Sequence, residues 1–408
     1  MGIDIALLAY DAELITETGA TYLLNDALLS LAWEEQEGQL AQKATLELAD
    51  CKAGADDLRS LLKINCMIKI YADWGKGRQP LFEGTIWEWK YERGQSQTLS
   101  VTVYDPMIRL QQSKDFKYFS KGLATPAIVG NICGDWGVPL DYQWDQQMAH
   151  EKKVFNGETV SNMIIKLLEE VQQQTGIRYV ASYKDGKLWV GGYGMNQEVY
   201  QFTGENTIST SDKLSINNLV TRVKIIGKAD DEGRTSVDAV IDGNLDYGIL
   251  QEIIRRDSNK DIGKANAEAK TLLKSRGQPE ESILVNSPDL PFLRRGDAVE
   301  MSAGNLSGIF YVLGVSHNAT QKQMTMTLMR APAAAENADS KKKDGSGYKA
   351  GDEIILNGPV YIDSYGNGKG LTFTNYRSTI TLTTDLSRPC PYHIGSVGWV
   401  YPNEITKA

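Results

Sequence analysis

The sequence predicts a mainly β protein with an α+β insert: two similar β domains, a small α+β domain between them, and a C-terminal SH3-like β-barrel. Three observations carry that prediction. Two stretches look like one three-strand meander written twice, helical periodicity fills the space between them, and short strands follow a polar linker. The clearer meander spans residues 296–330. Gly296 to Met301 alternates small or apolar with polar residues, a turn passes through Gly304 and Asn305, and residues 308–315 form the middle strand. A polar turn at residues 317–321 then leads to Met324–Leu328. The other meander begins at residues 66–70, turns through 73–79, continues along 81–87 with Gly84 inside, and closes with 99–103. Each strand alternates with period two, and each closing strand interleaves apolar residues with Ser or Thr. Antiparallel meanders in general share part of this pattern, and two distant copies are too few for a solenoid. A duplicated β domain accounts for it better.

A chain of 408 residues has room for two to four domains, each with its own core. Hydrophobic content of 41% and charged content of 23% are ordinary for a globular protein. The net charge of −9 argues against specific nucleic-acid binding, because a surface that wraps phosphate needs a basic excess. An acidic wall would instead let nucleic acid slide past. Residues 1–10 carry Asp4 and no Lys or Arg, so they do not read as a secretory leader. No stretch is long enough to give a membrane span. Cys51, Cys66, Cys133 and Cys390 have no paired spacing and read as reduced, mostly buried thiols of a protein folded in the cytoplasm.

Residues 1–115 read as the first β domain. Leu29, Leu31 and Trp33 alternate along one strand and Ala44, Leu46 and Leu48 along the next, with a short helical turn expected at 58–62. Asp105-Pro106 supplies an N-cap and a first-turn proline for a helix over 107–112. Residues 116–198 read as the α+β domain. Thr125-Pro126 opens a helix with Ile128, Val129, Ile132, Cys133 and Trp136 at helical spacing, stopped by Gly137-Val138-Pro139. The strongest helix follows Gly157-Glu158: Val160, Met163, Ile164, Leu167, Leu168 and Val171 share one face and Gly176 ends it. Residues 177–181 and 188–190 then form a hairpin about Lys184-Asp185-Gly186-Lys187.

Residues 199–330 read as the second β domain, with a core strand at 219–227, a return strand at 236–241 and a helix at 261–276 bearing Ala265, Ala269, Leu272 and Leu273. Residues 331–347 are a linker, and their Lys341-Lys342-Lys343 run reads as a solvated tether. Residues 348–408 form the SH3-like module, with strands at 353–356, 360–362, 371–374, 379–383, 393–394 and 399–401.

Reactive groups are sparse. His150, His317 and His393 lie in different modules, at spacings that suit neither a zinc protease nor a nucleophilic triad. Cys390-Pro391-Tyr392-His393 reads as a buried thiol beside a turn histidine. Gly366 to Gly370 lacks the Ser or Thr and the helix of a phosphate loop, so it reads as a hairpin tip. The acidic pairs Glu34-Glu35, Asp56-Asp57 and Glu280-Glu281 flank turns or helix ends. Trp87-Glu88-Trp89 places two indoles on one strand face, as core or as an exposed anchor, with core favoured. No catalytic, cofactor-binding or metal-ligating residue is assigned, no cofactor is expected, and the chain reads as an assembly component and not as an enzyme.

The order of segments resembles the tail baseplate hub proteins of contractile-tailed phages and phage-tail-like bacteriocins, the late-control-D and PBSX-hub type. The resemblance rests on Tyr104-Asp105-Pro106-Met107-Ile108 with Lys114-Asp115 and Tyr118-Phe119, and on residues 128–139 around Cys133-Gly134-Asp135-Trp136. It rests also on Asn217-Asn218-Leu219-Val220-Thr221-Arg222-Val223, on residues 267–277, and on Pro279-Glu280 and Arg294-Arg295-Gly296-Asp297. Pro391-Tyr392-His393 and Gly398-Trp399-Val400 resemble the tail module of such hubs, from which the Pro389-Cys390-Pro391 run departs.

The resemblance implies a homotrimer in which each chain contributes two domains of the tail-tube fold. Their pseudo-sixfold ring would join a hexameric tail tube to a trimeric spike. It further implies tail tube and spike proteins as partners, with tape-measure and other baseplate proteins beside them, and either peptidoglycan or another baseplate protein as the ligand of residues 348–408. The particle would be a virion or phage-tail-like baseplate, assembled in the bacterial cytoplasm. The competing reading is a peptidoglycan hydrolase or cell-wall-binding protein with a C-terminal binding module. A surface adhesin is a third, which would need a secretion signal.

Overall fold

The computed structural model describes residues 6–94, 97–143, 148–229, 232–256, 262–332, 348–361, 364–366, 369–384, 388–395 and 397–407. It divides into two compact units, residues 1–330 and 331–408. Most of the expected linker lies outside the described residues, as do parts of the turns at 230–234 and 366–370. The protein is mainly β.

The larger unit opens with β1 (Ala9–Ile15), β2 (Thr21–Leu23), β3 (Leu28–Glu35), β4 (Lys43–Ala49), β5 (Lys52–Ala53), β6 (Asp56–Asp57), α1 (Leu58–Leu61), β7 (Met67–Asp73), β8 (Gln79–Arg93) and β9 (Gln97–Tyr104). Then come α2 (Ile108–Gln112), β10 (Lys114–Phe119), α3 (Thr125–Asp135), β11 (Leu140–Gln143), β12 (Lys153–Thr159), α4 (Val160–Thr175), β13 (Tyr179–Lys184) and β14 (Lys187–Gly192). The last part holds β15 (Tyr200–Thr203), β16 (Ser209–Ser215), β17 (Arg222–Ile226), β18 (Val237–Asp242), β19 (Gln251–Arg255), α5 (Ile262–Arg276), β20 (Glu280–Pro288), β21 (Ala298–Ala303), β22 (Leu306–Asn318) and β23 (Gln323–Arg330).

The two meanders share one strand order. In the first, neighbours run β1-β7-β8-β9-β4-β3; in the second, β15-β21-β22-β23-β20-β16. Both middle strands also carry a bulge at an equivalent place. Trp87 is the extra residue of β8 against β9, and Leu313 the extra residue of β22 against β23. A bulge is a local device that re-aims a strand, so its repetition in both meanders is a second, independent likeness beyond strand order. The copies differ at one margin, where β1 pairs antiparallel with β7 but β15 runs parallel to β21. Their excursions differ as well. In the first copy β5, β6 and α1 follow β4; in the second, the β18-β17-β19 sheet and α5 precede β20.

Alternation sets the cores. Leu31, Trp33, Ala44, Leu46, Leu48, Leu99, Val101 and Val103 face one interior in the first meander. Val299, Met301, Phe310, Val312, Met324, Met326 and Leu328 fill another in the second. Close strand contact requires Gly84, since a Cβ there would stand 2.4 Å from the Tyr104 carbonyl oxygen. Ala265 and Ala269 of α5 pack on Val223 and Ile225 of β17, as their spacing predicts.

The α+β part packs α3 and α4 with the parallel–antiparallel sheet β11-β14-β13. α4 is capped at both ends. Thr159 Oγ1 accepts a hydrogen bond from the Asn162 amide at 3.3 Å, and Gly176 closes the helix at φ 77°. Asp185 (φ 50°) and Gly186 (φ 78°) make the turn of the β13–β14 hairpin. The expected boundary at 115/116 falls inside β10, and Met107, Ile108 and Leu110 of α2 are buried in the α+β core. The Asp105-Pro106 helix therefore packs with the domain that follows it.

In the smaller unit, β24 (Glu353–Tyr361), β25 (Lys369–Thr383), β26 (Tyr392–Ile394) and β27 (Gly398–Val400) pair in a closed circuit, with β28 (Ile405–Lys407) on β24. Two pairs of short strands expected from the sequence are two long ones here. β24 bends at bulges near Gly358 and Pro359 and pairs with both β25 and β27, which closes a small barrel.

Candidate functional site: a buried seam and two open edges

The two meanders meet along a seam. The outer edge of β3 pairs antiparallel with the distal half of β22, matching Glu35 with Val315, Glu34 with Ser316, Trp33 with His317 and Ala32 with Asn318. β21 pairs with β22 only as far as Tyr311, which leaves the rest of that edge open for β3. One sheet of 13 strands results among the described residues.

Two polar networks lock the seam. In one, Glu35 at the end of β3 is 5% exposed, accepts from Gln42 Nε2 at 2.8 Å and pairs with Arg294 Nε. Arg294 Nη2 also donates to the Tyr183 carbonyl at 3.0 Å, and Arg295 Nη2 to the Ala181 carbonyl at 2.6 Å. The residues before β21 thus tie the first meander and β13 together. Asp105 stands beside them, accepting from the Gln42 amide at 2.7 Å and the Met107 amide at 2.8 Å. Burial pushes the Asp105 carboxyl up to about 7, outweighing the two amides that favour its ionised form. Burial likewise raises Asp297 to about 6, against the Arg294 amide that donates to it.

In the other network, the His317 ring stacks on Trp33 with centroids 4.7 Å apart and an interplanar angle of 9°. His317 Nδ1 faces Asp289 Oδ1 at 2.6 Å and Nε2 faces the Leu293 carbonyl at 3.1 Å. The Tyr10 hydroxyl donates to the second oxygen of Asp289; burial, then the Asp289 charge, raises the Tyr10 pKa strongly.

The sequence reading places His317 in a turn, which is corrected here, and Glu35 beside a turn, where the structure does put it but buried. His317 is a strand residue, 1% exposed. Glu35 is buried because its cation arrives from a segment 259 residues away. The Trp87-Glu88-Trp89 expectation also changes. The bulge puts Trp87 at the surface, 40% exposed, while Trp89 packs against the first core.

The remaining candidates stay apart. His150 is buried in the α+β domain between Glu170 Oε2 at 3.0 Å and Thr125 Oγ1 at 2.7 Å. His393 faces Thr381 Oγ1 at 2.8 Å through Nδ1, while Cys390 is fully buried. Among the described residues no group of three His, Cys, Asp or Glu is placed to hold a metal. A cleft of about 390 Å³ beside Trp87, Pro106, Arg109, Trp136 and Pro139 has no carboxylate, thiol or imidazole in its lining. A second, about 310 Å³, follows the seam. Its acids are engaged: Glu34 with Lys43 at 3.6 Å, Glu35 with Arg294 and Glu37 with Arg178.

The seam uses one edge of each meander and leaves the equivalent edges open. Among the described residues β16, the counterpart of β3, pairs only with β20. β8, the counterpart of β22, has no strand on its β7 side beyond Thr85 among the described residues. Leu214 on β16 is 69% exposed.

A family model described as YQBQ-like matches residues 31–329. Two proteins of Bacillus subtilis (strain 168) are similar to the chain. Uncharacterized protein YqbQ is 25% identical over 232 residues, covering 56% of this chain and 69% of the relative. Phage-like element PBSX protein XkdQ is 25% identical over 259 residues, covering 62% of this chain and 78% of its own. Among solved structures, the tail protein from Neisseria meningitidis MC58 is similar with a TM-score of 0.56 at 13% identity, covering 79% of this chain and 97% of that one. The prophage MuSo2 43 kDa tail protein from Shewanella oneidensis gives a TM-score of 0.57 at 13% identity, covering 79% and 98%. At that identity the likeness is one of fold. The chain belongs to the YQBQ-like family, with the PBSX-element relative and the phage-tail fold that its sequence resemblance implies.

Proposed function

We propose that this chain is the structural baseplate hub of a contractile phage tail or tail-like particle. Three copies form a pseudo-sixfold ring from their duplicated β domains, residues 1–115 and 199–330, and join a hexameric tail tube to a trimeric spike. The observation that carries the reading is the shared strand order of the two meanders. A repeated unit lets a threefold assembly present six similar faces, which a single-copy subunit could not do. The buried acids and histidines support a non-enzymatic role, since each is held by ion pairs or hydrogen bonds inside the fold. The α+β domain, residues 116–198, lies outside the ring in this reading, and residues 348–408 form the SH3-like module. The module serves as a binding appendage for peptidoglycan or another baseplate protein. The negative net charge of −9 suits a channel wall that repels phosphate.

Native mass spectrometry and electron microscopy of the purified chain, alone and mixed with the tube protein of the same particle, test the reading. Trimers with six-lobed projections that cap tube ends are the expected result. Particles that cap the tube with another copy number, or chains that never bind it, would overturn it.

A further inference from the structure

The seam inside one chain is a template for a contact between chains. Its two partners are an outer edge (β3) and a distal half-strand (β22), and each has a counterpart left open, in β16 and β8. The bulges fix the equivalence residue by residue. Aligning Trp87 with Leu313 equates Trp89, Lys90, Tyr91 and Glu92 with Val315, Ser316, His317 and Asn318. Following the pairings outward, Trp33 reaches Val103 through Ala44, and Asp212 reaches Leu328 through Ile283. Val103 and Leu328 both sit just before the bulge, so Asp212 is the counterpart of Trp33, Lys213 of Glu34 and Leu214 of Glu35.

We propose that β16 of one chain pairs antiparallel with the distal half of β8 of a second copy, in the register of the seam. Leu214 then lies opposite Trp89, Lys213 opposite Lys90, Asp212 opposite Tyr91 and Ser211 opposite Glu92. This deepens the hub reading and rests on it. Three observations favour the pairing. The two open edges are complementary in type, so the contact is heterologous and propagates head to tail. It supplies partners to two rows of backbone groups that face no strand among the described residues. The exposures also fit: Val315 and His317 are 2% and 1% exposed at the seam, whereas their counterparts Trp89 and Tyr91 are half-buried. Lys213 faces a like charge in Lys90 but has Glu88 and Glu92 as diagonal neighbours, at ~7–8 Å in such a pairing.

The test is disulfide capture in the full-length protein. Chains carrying Lys90→Cys and Lys213→Cys are oxidised with copper phenanthroline and resolved on non-reducing gels, beside each single variant. A control pairs Lys90→Cys with Ser209→Cys, displaced ~13 Å along the strand. A second pair, Glu92→Cys with Ser211→Cys, guards against local damage from one substitution. The expected result is at least tenfold more intermolecular product from the two matched pairs than from the displaced one. No intermolecular product, or equal yields from matched and displaced pairs, would overturn the register. Native mass separates this failure from that of the hub reading. An assembled chain that fails to cross-link removes the register and leaves the hub; a covalent ring closing at a number other than three leaves the register and removes the pseudo-sixfold ring.

Discussion

Replacing Arg294 with Met tests whether the seam is held by its buried ion pair. Glu35 is 5% exposed and accepts from Arg294 Nε and Gln42 Nε2. Arg294→Met leaves that carboxylate buried with only the amide, and removes the donor to the Tyr183 carbonyl. Removing one partner of a buried pair costs about 3–5 kcal/mol. The Arg294 side chain keeps 29% exposure, so solvent screens the pair and places the cost near the lower end, about 3 kcal/mol. Glu35→Gln retains an acceptor and should cost about 1.5 kcal/mol, the scale of a hydrogen bond to a charged group. The double variant leaves neither charge stranded, so its cost should fall short of the sum by about 1.5 kcal/mol. Urea unfolding of all four proteins, followed by tryptophan fluorescence and far-ultraviolet dichroism, measures this coupling. Costs that add to within about 0.5 kcal/mol would show that the pair does not couple the two sides of the seam, and would refute the reasoning.

Other consequences follow from the same geometry. Asp105 binds a proton up to about pH 7 when folded, against 3.8 for the free group, with Glu35 and Arg294 facing it. Between those values the folded chain holds more protons than the unfolded one, so this contribution to stability is full below about pH 4 and lost as pH rises to 7. Asp105→Asn should therefore flatten the decline in urea midpoint between pH 5 and 8; an unchanged slope would remove Asp105 as its source. Gly84→Ala should destabilise by about 1–3 kcal/mol, because the new methyl meets the Tyr104 carbonyl oxygen at 2.4 Å; a calorimetric midpoint equal to the parent's would contradict that close approach. A thiol reagent should label partly exposed Cys51 first, and Cys66, Cys133 and Cys390 only on unfolding; burial also holds Cys133 up at about 11. Peptide mapping that finds Cys133 labelled as fast as Cys51 would contradict this.

Local patterns made the strands and helices legible, and the seam illegible. Period two exposed the faces of β3, β4 and β9, because each lies half against a core and half toward solvent. α4 announced itself through six apolar residues on one face and a terminal glycine. The bulge at Trp87 left no such mark, since an extra residue in β8 is defined only against β9. Glu35 sits within Glu34-Glu35-Gln36-Glu37, which has the composition of a solvated turn, and its partner lies far along the chain. His317 precedes Asn318-Ala319-Thr320, so polar neighbours concealed a strand residue. One signal was available: Val315 and His317 continue the alternation of β22 past the glycine at 314.

The differences between the two edge types fit their different tasks in the proposed ring. A seam formed within a chain assembles once, as the protein folds, with both partners tethered. It can hold a buried Glu35–Arg294 pair and a His317–Asp289 pair, whose desolvation is met by hydrogen bonds and by packing against Trp33. An edge that waits for a second copy must remain soluble until that copy arrives. Ser209, Ser211, Asp212 and Lys213 along β16, and Glu88, Lys90, Glu92 and Arg93 along β8, are the polar residues with which exposed edges resist indiscriminate pairing. Leu214 breaks that pattern more strongly than Trp87, and the seam register sets it against Trp89. Leu214→Lys should then weaken self-association without lowering the stability of the monomer, since Leu214 is 69% exposed and gives up little packing. Sedimentation velocity over a concentration series, paired with thermal unfolding, separates the two effects. A variant that associates as the parent does would place the contact on another surface.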